Sequence, residues 1–180
     1  MNRPVLMIGL LVVFGLGLAS IFTVKETEYA IRFQLGRIVK VDYAPGLNFK
    51  WPFVNNIRKF DNRILTLDTV PELMLTSEQK YVNVDSFVKW RIVKPEIFYT
   101  SFMCDERQAG NRLLQIINNG LQLEFENRTI RQVVSDDRVV MMDSLTKKGN
   151  DEVRQFGIEI VDVRVKQIDF ADDISENIYE

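Results

Sequence analysis

The segment YVNVDSFVKWRI, residues 81–92, alternates apolar and polar side chains over most of its length. Successive side chains of a β-strand point to opposite faces, so this period of two predicts a strand with one buried face. The apolar face consists of Val82, Val84, Val88, Trp90 and Ile92. The other face carries the charges of Asp85, Lys89 and Arg91. These charges either face solvent or pair with a neighbouring subunit.

Extended segments also fill the chain on the N-terminal side of this strand. Residues 27–33 alternate, Gly36 supplies a turn, and residues 38–41 continue as a second strand. The pair Pro45-Gly46 marks a tight turn, and residues 57–70 are extended again. This part of the chain therefore predicts antiparallel strands.

The apolar period changes to that of a helix after Lys94. One amphipathic helix is predicted over residues 107–126, because its apolar residues fall on a single helical face. That face consists of Leu114, Ile117, Leu121 and Phe125. Ser135 is a plausible N-cap for a second helix, with Asp136 and Asp137 in its first turn.

The second predicted helix ends at Gly157, a typical C-terminal glycine, and Met142, Leu145 and Phe156 form its buried stripe. Residues 158–168 return to strand. Their apolar positions change parity between Ile160 and Val161, which predicts a β-bulge. Strands followed by helices and a returning strand indicate an α+β fold.

A run of 20 uncharged residues, VLMIGLLVVFGLGLASIFTV at 5–24, precedes all of these elements. As a helix it would be about 30 Å long, which matches the hydrocarbon core of a bilayer. A cleaved secretory signal is the alternative, but its apolar core usually spans only about 7–15 residues. We therefore expect a transmembrane anchor. The positive charges on either side, counted alone, would place the C-terminal side in the cytoplasm.

The composition excludes several function classes. The chain has no histidine and a single cysteine, Cys104, which removes Ser-His and Cys-His catalysis, His-ligated zinc and an internal disulfide. Residues 25–180 carry 22 Lys and Arg against 25 Asp and Glu, so no basic excess indicates nucleic-acid binding. The remaining candidate for catalysis is a dyad of Ser144 and Lys148, which would meet at i, i+4 on a helix. We expect no catalytic, cofactor or metal site.

Several segments together resemble a known family. Residues 24–33 follow the apolar run directly, and residues 45–53 contain PGLNFKWPF, which is similar to the P-G-L-x-F-x-x-P-F pattern of the stomatin/prohibitin/flotillin (SPFH, or band 7) domain. Residues 85–92, 157–168 and 175–179 resemble a bacterial branch of that family. The resemblance covers nearly the whole chain. It departs from the family where a long charged helix would follow, because the chain stops at Glu180.

The resemblance implies a non-enzymatic membrane scaffold. Members of this branch assemble with an HflK-like paralogue into large hetero-oligomers around the membrane protease FtsH. It also implies a bacterial inner membrane protein with a cytoplasmic N-terminus and a periplasmic SPFH domain, against the local charge count. A stomatin-like organiser of lipid domains and a membrane-anchored hydrolase are the alternatives.

Four parts are expected on this basis. Residues 1–24 form the cytoplasmic tip and anchor, residues 25–94 a strand-rich subdomain, residues 95–170 a helix-strand subdomain, and residues 171–180 the start of a truncated helix.

Three aromatic residues follow the anchor closely. Phe49, Trp51 and Phe53 alternate beside Lys50, about 25 residues beyond the anchor. They either enter the headgroup layer of the bilayer, where aromatic side chains are enriched, or fill the core beneath the Pro-Gly turn.

Overall fold

The computed structural model describes residues 17, 20–41, 43–134 and 137–170. The chain divides between Arg63 and Ile64 into two compact units. The expected subdomain boundary after Lys94 falls inside the second unit and remains a prediction. Ser135, Asp136 and the expected helix start at residues 171–180 lie outside the described residues.

In its described residues, the first unit contains five antiparallel strands: β1 (Ile21–Val24), β2 (Glu28–Gln34), β3 (Arg37–Lys40), β4 (Gly46–Phe49) and β5 (Asn55–Asp61). β1 pairs with β4, while β3, β2 and β5 form a three-stranded sheet in that order. Val24, Ala30 and Tyr43 are buried together, and Phe22 and Ile57 pack against them. The predicted antiparallel, strand-rich character of this part is confirmed.

β1 corrects the expected end of the anchor. Residues 21–24 were expected to close the apolar helix, but they form a strand whose partners are Gly46–Phe49. Phe22 and the buried Val24 point into the core of the first unit, so these residues have apolar partners within the protein. Residues 5–16, 18 and 19 of the expected anchor lie outside the described residues.

The second unit is organised around β8 (Tyr81–Ile92), the predicted central strand. β6 (Leu65–Asp68) and β7 (Glu72–Leu75) share one edge of β8, and β9 (Ile158–Phe170) pairs along the other edge. Between β6 and β7, the Thr69 hydroxyl accepts a hydrogen bond from Ser86 N at 3.1 Å and lies 2.9 Å from Ser86 O. This buried hydroxyl bridges the gap between the two short strands.

The helices of the second unit connect β8 to β9. They are α1 (Pro95–Phe102), α2 (Glu106–Glu126), α3 (Ile130–Val134) and α4 (Asp137–Val153), followed by a 3₁₀ turn at Arg154–Phe156. The predicted helix over 107–126 is confirmed as α2, and the Asp105 side chain caps it by accepting from Arg107 N and Gln108 N. Ile117, Leu121 and Phe125 are fully buried, as expected, whereas Leu114 is only partly buried.

The predicted bulge lies in β9 at Val161. Trp90 is opposite Ile160 and Lys89 is opposite Asp162, so Val161 has no partner of its own and is exposed. On the outer edge of β9, the Asn150 side chain donates to Ile160 O and accepts from Ile160 N, both at 2.8 Å. An amide that mimics a neighbouring strand in this way satisfies the backbone where the ladder is interrupted.

Gly157 performs the predicted turn at the end of the helices. Its φ is +74°, and an added Cβ would lie 2.4 Å from Lys94 O and 2.9 Å from Phe98 N. Its carbonyl accepts from Val93 N and Lys94 N, both at 2.9 Å, so the turn joins the end of β8 to the start of β9.

We expect Gly157→Ala to lower the free energy of unfolding of the second unit by about 2 kcal/mol or more, because the left-handed conformation costs about 1–2 kcal/mol for a side chain and the clash adds to it. Gly110→Ala in α2 is the matched control, since its Cβ would meet Leu67 at an ordinary 3.5 Å and alanine favours a helix. Urea unfolding followed by the fluorescence of the buried Trp90 measures both variants. Equal stability of the two would contradict this account of the turn.

Candidate functional surfaces

The aromatic residues at 49, 51 and 53 are exposed. Phe49 retains 61%, Trp51 69% and Phe53 94% of its accessible surface. They therefore do not fill the core beneath the Pro-Gly turn, which was one of the two expectations. Phe53, the most exposed of the three, also has a φ of +69°, an uncommon conformation for a bulky residue.

Strand pairing extends this apolar surface to β1. Ile21 is directly opposite Phe49 and Thr23 is opposite Leu47, and all four residues are exposed on the same face. We call Ile21, Leu47, Phe49, Trp51 and Phe53 the apolar patch. The Lys50 amide donates to Ser20 O at 2.7 Å, which holds the residue after β4 beside the end of the apolar run. This pairing could not be predicted from the sequence, because β1 (Ile21–Val24) has the same apolar composition as the rest of the run.

The charged face of β8 is paired mainly within the chain. Arg91 forms an ion pair with Glu159 at 2.7 Å, and Lys166 lies 3.7 Å from Asp85 and 2.8 Å from Asp68. The hydrogen bond with Asp68 is the largest of the effects that raise the pKa of Lys166. Lys89 has no ion pair within the described residues, and its amine lies 5.8 Å from the Phe87 ring.

The partners of these charges could not be named from sequence. They lie on β6 and β9, and the two register shifts in the β8–β9 ladder decide which charge meets which. Asp85 and Arg91 therefore have neutralising neighbours in this chain. Lys89 is the one of the three expected contact residues with a charge that is not neutralised within the described part of the protein.

In the candidate dyad of Ser144 and Lys148, the lysine forms an ion pair with a carboxylate. The Lys148 amine donates to Glu124 Oε1 at 2.7 Å, and Arg128 also pairs with this carboxylate. Burial raises the pKa of the Glu124 carboxyl, but the hydrogen bond from Lys148 and the charges of Arg128 and Lys148 outweigh it, so the net pKa is lowered. The cluster ties α2 to α4 and leaves the amine committed to a carboxylate.

Among the described residues, no group of Asp, Glu and Cys side chains could hold a metal ion. Within that same part of the chain, no helix combines the length and the apolar character needed to cross a bilayer.

Comparison with known proteins gives a consistent result. The sequence profile of the SPFH domain / Band 7 family matches residues 22–180. The chain is 38% identical over 172 residues to "Protein HflC" of Haemophilus influenzae, which covers 90% of this chain and 58% of that protein. It is 30% identical over 206 residues to "Modulator of FtsH protease HflC" of Escherichia coli, which covers 89% of this chain and 62% of that protein. The chain thus spans about three fifths of the length of these relatives.

We expect Glu124→Gln to lower the free energy of unfolding by about 2 kcal/mol at neutral pH, since a charge-assisted hydrogen bond contributes about 1.5–3 kcal/mol. The pKa of Glu124 is lowered in the folded state, so this contribution is fully present above its ordinary pKa of 4.5 and is lost as the pH falls through the folded pKa. The difference between the two proteins should therefore disappear in acid.

Glu126→Gln is the matched control for this experiment, because Glu126 lies on the same helix, is exposed and forms no ion pair in the described part of the chain. Its effect should stay within about 0.5 kcal/mol. Urea unfolding across a pH series measures all three proteins. A difference for Glu124→Gln that persists at the lowest pH would contradict the assigned role of the charge.

Proposed function

The chain belongs to the SPFH domain / Band 7 family, and on that premise we propose that it is a non-enzymatic scaffold subunit of a bacterial inner membrane that regulates an FtsH-type protease. The support is the similarity to relatives named HflC, of which one is named as a modulator of FtsH protease. The proposal includes assembly with an HflK-like paralogue into a large hetero-oligomer. No chemical step is assigned to the chain.

The proposed anchor is a helix within residues 4–20. This stretch has 17 uncharged residues, about 25 Å of helix, which reaches the lower limit for crossing a bilayer. The N-terminus is then cytoplasmic and the SPFH domain periplasmic. Positive charges beyond the anchor are compatible with this orientation, because long domains translocate largely regardless of charge.

One observation carries the membrane placement: β1 begins at Ile21, directly after the proposed anchor, and pairs with β4, whose last residue is Phe49. Paired residues of an antiparallel ladder are only about 4.5–5.5 Å apart between their Cα atoms. Phe49 therefore lies beside the residue at which the chain would leave the bilayer. We propose that Phe49, Trp51 and Phe53 enter the headgroup layer, where aromatic side chains are favoured.

The proposed mechanism is steric. The anchor and the apolar patch hold the first unit against the bilayer, and the second unit contacts neighbouring subunits. A closed assembly of this kind would control which membrane proteins reach the protease. Asp85, Lys89 and Arg91 are proposed to lie at the subunit contact, with Lys89 supplying the charge that is not neutralised within the described chain.

Mild detergent extraction of the full-length tagged protein from its native membrane tests the proposal. We expect a very large particle that contains a paralogue and an ATP-dependent membrane protease. A small homo-oligomer with lipid but no protease would overturn the regulatory role. That outcome would favour a stomatin-like organiser of lipid domains, which the exposed apolar patch would equally serve.

We expect Lys89→Gln to weaken the assembly, because it removes a charge at the proposed contact without breaking an ion pair in the described chain or placing a second acid opposite Asp162. The size of the extracted particle, measured by native electrophoresis, should fall. Lys147→Gln is the control, since Lys147 is an exposed lysine of α4 without an ion pair in the described region. If both variants assemble like the unsubstituted protein, the charged face of β8 is not a subunit contact.

A further inference from the structure

The first unit carries an excess of positive charge that the second unit lacks. Residues 25–63 contain eight Lys and Arg against four Asp and Glu, whereas residues 64–180 contain 14 against 21. Among the described acids of the first unit, Glu28 pairs with Lys25 and Lys59, and Asp61 pairs with Arg63. Within the described residues, no acid of this unit forms an ion pair with the remaining positive charges of the sheet.

Three of these groups share one face of the β3-β2-β5 sheet. Arg32 is directly opposite Lys40 in the β2–β3 ladder, and Arg37 is opposite Gln34, two residues along β2. Like charges in directly opposed positions destabilise a sheet. The Lys40 amine lies 4.7 Å from the Tyr43 ring, but no described carboxylate forms an ion pair with Arg32, Arg37 or Lys40. This face is suited to an anion from outside the chain.

A cavity opens beside Arg32. It has a volume of about 360 Å³ and is lined by Arg32, Gln34, Trp51, Val54 and Asn55. Arg32 Nε is buried and has no hydrogen-bond partner in the described part of the chain. A buried donor without a partner costs free energy, and the cost is larger for a charged group. Because Arg32 also lines the cavity, an acceptor bound there is the partner that we expect for its guanidinium.

The lining indicates the chemistry of that acceptor. The guanidinium presents a planar fork of donors that matches phosphate oxygens, and the amides of Gln34 and Asn55, which face each other in the β2–β5 ladder, supply further donors. Two cationic neighbours on the same face favour a group with net negative charge. A phosphate ester meets these requirements.

Trp51 connects the cavity to the apolar patch, because it lines the cavity and is also largely exposed. A ligand with its phosphate at Arg32 would have an apolar surface next to it. We propose that this cavity binds the headgroup phosphate of an anionic phospholipid, with the acyl chains beside Trp51 and Phe53. The inference rests on the proposed contact between the apolar patch and the bilayer.

Tryptophan fluorescence of the full chain in lipid vesicles tests this proposal. Trp51 lies at the cavity, whereas Trp90 is 3% exposed in the second unit and serves as an internal background. Vesicles of unlabelled phosphatidylcholine receive a minor fraction of either brominated phosphatidylglycerol or brominated phosphatidylcholine, which quench nearby tryptophan. We expect the anionic lipid to be enriched about tenfold around Trp51, the gain from one charge-assisted hydrogen bond.

Substitutions separate the cavity from a general attraction to positive charge. Arg32→Gln should remove the preference for phosphatidylglycerol, and Arg32→Lys should weaken it strongly, because lysine keeps the charge but lacks the fork. Arg58→Gln is the matched control, because Arg58 lies on β5 opposite Ile31, on the other face of the sheet. This variant should retain the preference for phosphatidylglycerol. Circular dichroism of each variant checks that it folds.

The outcomes are distinct. Absence of quenching by either lipid would overturn the proposed membrane contact of the apolar patch and this inference with it. Equal quenching by both lipids would leave that contact standing and overturn the phosphate site. A preference that Arg32→Lys preserves would also overturn it. If soluble glycerol phosphate binds in an Arg32-dependent manner while vesicles show no preference for phosphatidylglycerol, the cavity binds free phosphate and the assignment to lipid fails.

Discussion

The antiparallel pairing of β8 with β9 is the interaction on which the second unit depends. The ladder runs from Val82 opposite Phe170 to Ile92 opposite Ile158, and the apolar face of β8 is buried along its length. Sixty-five residues of helix and turn separate the two strands. Gly157 ends this segment, because its carbonyl accepts hydrogen bonds from Val93 N and Lys94 N. Only a residue without a side chain fits at this position. The helices are thereby held against one face of the sheet, and the charged residues remain on the other.

Much of the second unit was predictable because its residues obey simple periods. Alternation identified β8, a period of 3.6 identified α2, and the change of parity at Val161 identified the bulge. These signals are local, so a single sequence contains them. The partners of Asp85 and Arg91 were beyond such reasoning, since they depend on register shifts between strands that are far apart in sequence. The ion pair of Lys148 could not be predicted for the same reason: its carboxylate partner, Glu124, is 24 residues away on another helix.

The first unit shows a different limit. An apolar, β-branched segment such as residues 21–24 has the same composition whether it ends a membrane helix or begins a strand, and only its pairing with Gly46–Phe49 decides. The alternation of Phe49, Trp51 and Phe53 was similarly ambiguous, because a core strand and an exposed apolar surface share one pattern. Exposure resolved it: Val24, Ala30 and Tyr43 are buried in this unit, whereas the three rings remain exposed.

The two units differ in how the charges on their surfaces are neutralised. On the second unit, charges on the open face of the sheet neutralise one another, as Arg91 does with Glu159 and Lys166 with Asp68. On the first unit, an apolar surface adjoins cations for which the described chain offers no carboxylate. Hydrated apolar side chains are unfavourable and clustered cations repel one another, and contact with an anionic lipid surface would relieve both. The proposed membrane contact therefore rests on the first unit, and the proposed subunit contact rests on the charged face of the second unit.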